Sequence, residues 1–220
     1  MTQIPRTALV LVALLAGLCP LVANAFHEDA VGGGSTILAK AAAAQPVAAQ
    51  VSIVLHVLGF AALIVTLGIL AAAVLRRSPA LAGVVSVAGA TAVAIKFAEA
   101  QTGMALRDSA DVVDPGTAEV LVAMDDAGFT VYGFLLSLAL GAAALGLLQA
   151  SVVPSWLAWW GVVMGGLGMV TATVGIVAPA YYVPIPFVLL LIWLVALGLT
   201  AARRPFRVED VPQQADLVTQ

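Results

Sequence analysis

Residues 127–202 contain no Asp, Glu, Lys, Arg or His. A run of 76 almost wholly apolar residues is more than a soluble core needs. A helix crosses the hydrocarbon of a bilayer with about 20 such residues. Two weak breaks divide the run, at 149–154 and at 179–184, the second bounded by Pro179 and Pro184. The last third of the chain therefore reads as three transmembrane helices.

Composition extends that reading to the whole chain. Of 220 residues, 62% are hydrophobic and only 10% charged, which fits a polytopic membrane protein. The apolar runs are long and continuous rather than short and alternating, so helices are expected and a barrel is not. The formal net charge is −3, and no basic block suggests a nucleic-acid partner. A single cysteine, Cys19, excludes an internal disulfide and a thiolate metal cluster. The expectation is an all-α transmembrane bundle whose partner is the lipid bilayer.

The earlier spans follow from the same logic. Residues 7–23 are apolar and end at Ala23, Asn24 and Ala25, a small-x-small pattern that also marks a cleaved signal peptide. Residues 1–26 are thus a first span or a signal, giving six spans or five. Residues 27–50 read as an outer linker with three flexible glycines, Gly32 to Gly34. Within it an Ala-rich helix over 36–50 is expected, capped by Ser35 and kinked or divided at Pro46. Residues 51–202 form the five-helix core, with spans at 51–75, 80–100, 120–148, 156–178 and 185–202. Residues 101–119 are expected to be a polar loop. Residues 203–220 form a tail.

Charge fixes the orientation. Arg76 and Arg77 follow one span and Arg203, Arg204 and Arg207 another, and four crossings separate them. The positive-inside rule places both groups in the cytoplasm and the acidic 101–119 loop outside. Both termini are then cytoplasmic if the first span is retained. Trp156, Trp159 and Trp160 fall at the inner interface. A bacterial cytoplasmic membrane is the expected location.

Two segments carry a family resemblance. One runs from Asp125 and Asp126 through Gly128, Phe129 and Tyr132 to Gly133. The other runs from Val153 and Pro154 through Trp156, Trp159 and Trp160 to Gly161. With the Ala-rich run 37–49 and the last span through Trp193, they resemble a family of six-span bacterial membrane proteins catalogued as domain of unknown function 4386. The resemblance implies six spans and so a retained first segment. Its members carry a fuller basic N-terminus than residues 2–6, and it brings no catalytic residues.

Small residues mark where helices approach. Gly161, Gly165, Gly168, Ala172 and Gly175 recur at i, i+4 and i+7 and form one stripe. The stripe reads as a packing seam within the chain, or else as a surface for a second copy. A second stripe runs through Asp126, Thr130, Gly133, Ser137 and Gly141, and is expected to face the bundle interior.

Polar groups gather at the outer end of the spans. Lys96 and Glu99 share a helix face at i, i+3. His56, Asp125 and Asp126 enter from the same side. The expected hub is Lys96, paired with Glu99 and with Asp126, which heads the second stripe. Buried, such groups would make a polar pocket; at the interface, they would snorkel into headgroups. No Walker loop, dinucleotide fingerprint or His-Glu-x-x-His motif is present in the sequence, and two histidines are too few for the usual two-haem arrangement. No cofactor or metal is implied, and His27, Glu28 and Asp29 read as a solvated linker. Three functions stay open. The first is a non-enzymatic envelope scaffold, sensor or accessory subunit, alone or with a membrane partner or second copy. The second is a small-solute or proton-coupled transporter, and the third an enzyme acting on lipid head groups.

Overall fold

The computed structural model describes residues 6–24, 33–43 and 46–203. They form an all-α bundle of six membrane-length helices with one short α-helix outside it and a 3-10 turn at Pro179–Tyr181. The long helices are α1 (Arg6–Asn24), α3 (Pro46–Leu75), α4 (Pro79–Asp108), α5 (Pro115–Gln149), α6 (Ser155–Val177) and α7 (Ile185–Arg203). The short helix is α2 (Gly34–Ala43). Around the bundle the order is α1, α3, α4, α5, α6, α7 and back to α1, a closed ring. Helix α5 leans inward and also touches α3 and α7. Alternating directions bring Arg76, Arg77 and Arg203 to one end, labelled inner after the positive-inside expectation, and the 109–114 turn and Tyr182 to the other, labelled outer.

One apolar cluster fills the ring. Leu63, Leu67 and Leu70 of α3 meet Leu136, Leu140 and Leu147 of α5 and Leu190, Leu194 and Leu197 of α7. In lipid, apolar residues gain little by leaving their solvent, so close packing must hold helices together. The α5–α6 contact shows how. Gly161, Gly165, Gly168, Ala172 and Gly175 are all buried on α6. A Cβ on Gly165 would stand 2.6 Å from the Gly141 Cα, so the two backbones nearly touch. Gly161 makes room for a ring instead of a backbone. It seats the Trp193 indole, which is fully buried and donates from Nε1 to the Leu157 carbonyl at 2.7 Å.

The turns differ from expectation in three places. Pro46 does not kink a helix; it opens α3, where a missing N–H costs nothing. The Ala-rich helix is shorter than expected and starts earlier, because the Gly33 carbonyl accepts the Thr36 and Ile37 amides and Ser35 lies inside the helix. Most of the expected 101–119 loop is helix. Helix α4 runs on to Asp108, and α5 starts at Pro115 with Asp114 as its cap, accepting the Thr117 amide at 3.0 Å.

That third correction changes the shape of the protein. At 1.5 Å per residue, α4 and α5 are roughly 45 and 52 Å long, against a hydrocarbon core of about 30 Å. Both inner ends sit at tight turns, so the surplus projects on the outer side as a helical hairpin. Helix α2 lies against it, burying Ile37 with Leu106 and Ala118. The Gly34 amide, at the start of α2, donates to Glu119 Oε1 at 2.6 Å.

Candidate functional site: a polar pocket at the outer end of the ring

Lys96 lies 17 residues from the start of α4, and Tyr132 lies 17 residues from the end of α5. Both are thus roughly 26 Å from the inner turns, a little less than the ~30 Å thickness of a bilayer's hydrocarbon core. Around them the ring is not filled. A cavity of ≈ 40 Å³ is lined by Pro20 and Asn24 of α1, His56 and Phe60 of α3, Lys96 of α4, Phe129 and Tyr132 of α5 and Phe187 of α7. Asn24 is exposed and stands at its rim. About 10–15 Å³ of such space holds one water, so the cavity is large enough for roughly three.

Its walls are aromatic. The Tyr132 ring meets Phe187 at 5.5 Å and Phe60 at 6.1 Å, both edge to face. The Lys96 ammonium pairs with Glu99 and sits 4.5 Å from the Phe129 centroid and 5.2 Å from that of Tyr132. The quadrupoles of those ring faces attract a cation. Glu99 is buried and packs onto Gly128, where a Cβ would stand 2.6 Å from its Oε1. Glycine at 128 therefore makes room for the carboxylate.

His56 is held by its own helix. Its Nδ1 lies 3.1 Å from the Ser52 carbonyl, an oxygen that only accepts. Ser52 in turn donates to the Ala23 carbonyl at 3.2 Å, tying α3 to α1 beneath the pocket rim. The ring of His56 stacks on Phe60 at 5.7 Å.

Among the described residues, three buried side-chain atoms lack a hydrogen-bond partner: Glu99 Oε1, the Tyr132 hydroxyl and Ser137 Oγ. The first two lie at the outer end of the bundle. Ser137 lies on the α5–α6 seam against Gly168. A buried polar atom without a partner is uncommon and asks for water or a ligand.

The structure thus gathers His56, Lys96 and Glu99 at the outer end, and it separates the two aspartates. Asp125 is half-buried and Asp126 exposed. Asp126 does have the phase of the stripe below it, since Thr130, Gly133 and Ser137 are buried. However, α6 ends at Val177, with Gly175 opposite Thr130, so nothing is left to cover Asp126 one turn higher. The carboxylate nearer to Glu99 is Asp125, on the face of α5 turned to the longer α4. His27, Glu28 and Asp29 lie outside the described residues, as do Arg204 and Arg207.

Sequence reasoning missed the aromatic walls and Tyr182. Tyr182, in the outer loop before α7, packs against Gly175 and Gly133 and meets Phe129 at 5.9 Å. Burial pushes its phenol above the ordinary range. Its neighbour Tyr181 is exposed. Spacing offered one clue: Phe129 and Tyr132 follow Asp125 at i+4 and i+7, the face that meets α4. Among the described residues, no group of three His, Cys, Asp or Glu side chains stands close enough to hold a metal. No family model, curated protein or solved structure matches the chain.

Proposed function

We propose that this polytopic membrane bundle is a non-enzymatic sensor or accessory subunit of a bacterial cytoplasmic membrane. Its pocket faces the outer side and both termini face the cytoplasm. One observation carries the reading: the ionisable groups inside the ring are gathered at the outer end, and below them it is packed mainly with apolar side chains. Leu136, Leu140, Leu147, Leu190, Leu194 and Leu197 are all 0–2% exposed. A transport path needs polar groups near mid-depth, and that level holds leucine with only the isolated hydroxyls of Thr66 and Ser137.

Transport by a proton-coupled route is the second reading. It is favoured by the buried Lys96–Glu99 pair, a kind of group that marks ion pathways in membranes. Flux separates the two. Purified protein in liposomes is expected to add no proton or small-solute leak to that of empty vesicles, with or without a pH gradient. A saturable flux lost in Lys96→Met would overturn the sensor reading in favour of transport.

A further inference from the structure

We propose that the outer pocket is a hydrated proton-binding site in which Glu99 takes the proton from the outer aqueous phase. This gives the sensor reading its ligand, and it rests on that reading for its purpose.

Two buried atoms point to it. Glu99 uses Oε2 for Lys96 and leaves Oε1 without a partner, and the Tyr132 hydroxyl also has none. Buried polar atoms of this kind are ordinarily satisfied by water when no protein group reaches them. The adjoining cavity has room for about three waters, and its rim carries the exposed Asn24. The cavity therefore offers water a route to Lys96, the partner of Glu99, from the rim side, and the leucine layer closes the other side.

The step balances simply. One proton adds to Oε1, the carboxylate becomes a carboxylic acid, and no bond to carbon breaks. The charge of the pocket rises by one. No co-reactant is needed.

The walls of the pocket differ in what they offer a proton. Helix α1 presents Asn24, which does not titrate, and α3 presents His56. Helix α4 presents Lys96, α5 presents Phe129 and Tyr132, and α7 presents Phe187; Glu99 stands behind Lys96, its ion-pair partner, against Gly128, with Asp125 of α5 the next carboxylate. Tyr182 closes the outer loop side. Among these, Glu99 is the carboxylate that is buried and half-satisfied.

The consequence travels along α4 and α5. Protonated Glu99 no longer neutralises Lys96, whose ammonium is then held by the ring faces of Phe129 and Tyr132 on α5. The α4–α5 contact must readjust. Those two helices continue outward into the hairpin that carries α2, so the hairpin is where a partner would read the change.

The test is pH-difference infrared spectroscopy of the full chain in lipid nanodiscs, with melting temperature as the folding check. Acidification is expected to raise a carboxylic-acid C=O band that is lost in Glu99→Gln and kept in Glu119→Gln, since residue 119 is exposed. In Lys96→Met the same band should appear at higher pH, because the counter-ion is gone. A wild-type spectrum that Glu99→Gln leaves unchanged overturns the proposal. If Glu99→Gln does not fold, Lys96→Met decides, and an unmoved band midpoint overturns it equally. Such a failure without flux in liposomes removes the proton but leaves the sensor reading standing. Flux together with the band keeps the site and removes the sensor reading.

Discussion

Ser151 is the one non-glycine residue with positive φ among those described, at 53°. It ends α5 in a Schellman turn: its amide donates to the Leu148 carbonyl, and that of Val152 donates to Leu147. Glycine usually holds that position, because a Cβ in the left-handed region costs roughly 1–2 kcal/mol. Ser151→Gly should therefore stabilise the protein by about 0.5–1 kcal/mol, after the extra unfolded-state entropy of glycine. Denaturant melts in detergent check this, and a loss of stability would contradict it. A paired test concerns two adjacent glycines. Gly165 has backbone atoms of α5 within 2.6–3.0 Å of a would-be Cβ, whereas Gly166 has nothing within 4 Å. Gly165→Ala should cost about 1–3 kcal/mol through overpacking, and Gly166→Ala should gain about 0.5–1 kcal/mol in helix propensity. Equal effects would mean that α6 is rotated from the phase described. That phase was legible in the sequence, because small residues at a 3.6 period leave little else to pack. The partner of each glycine was not: whether Gly161 meets a backbone or an indole depends on where α7 lies.

Among the elements, the outer hairpin was the least legible. Gln101, Arg107, Asp108 and Asp111 look like a loop when polarity is read as an end of helix. Polarity there does not end the helix, since α4 continues to Asp108. Alanines at 98, 100 and 105 and the capping pair Asp114–Pro115 let the helices run on into water. The cap carries a pH prediction. The Thr117 hydroxyl and amide both donate to Asp114, which holds its carboxyl below the ordinary carboxylate range. A group depressed on folding contributes stability that is complete above its unfolded value, about 3.9 for Asp, and is lost as pH falls through the folded value. Hydrogen exchange of the Thr117 and Ala118 amides should therefore accelerate below roughly pH 4, in addition to the intrinsic pH dependence of exchange. Asp114→Asn, which keeps an accepting oxygen, should remove that extra acceleration without releasing the cap at neutral pH. An identical extra acceleration in both proteins would assign it to another carboxylate.

The whole molecule is a ring closed by its first helix. Helices α3 and α7 do not pack on each other among the described residues; α1 stands between them and contacts both. Its Gly17 faces the Leu191 carbonyl and Val195 of α7, and Pro20 and Cys19 lie against Gly59 of α3. Orientation is tested with single cysteines in a Cys19→Ala background. Cysteines at the exposed positions Ala80 and Asp111 should label from opposite faces of the membrane, and labelling from one face would refute the alternating order of helices. Whether 7–23 is a span or a signal could not be read from the sequence, because a hydrophobic run of that length with small residues behind it serves both purposes. Packing bears on the choice. Ala13, Ala16, Cys19 and Ala23 are buried, and the Ala23 carbonyl accepts from Ser52. Pro20 and Asn24 wall the polar pocket. Cleavage after Ala25 would remove that wall and open Lys96 and Glu99 sideways to lipid, where unshielded charge is costly. Retention of α1 is therefore expected, and intact-mass measurement of the purified protein should find residues 6–24 still attached. A mature chain beginning at Phe26 would show that five helices suffice. The Lys96–Glu99 pair would then have to be covered by lipid headgroups, by a second copy or by a partner helix in the place of α1.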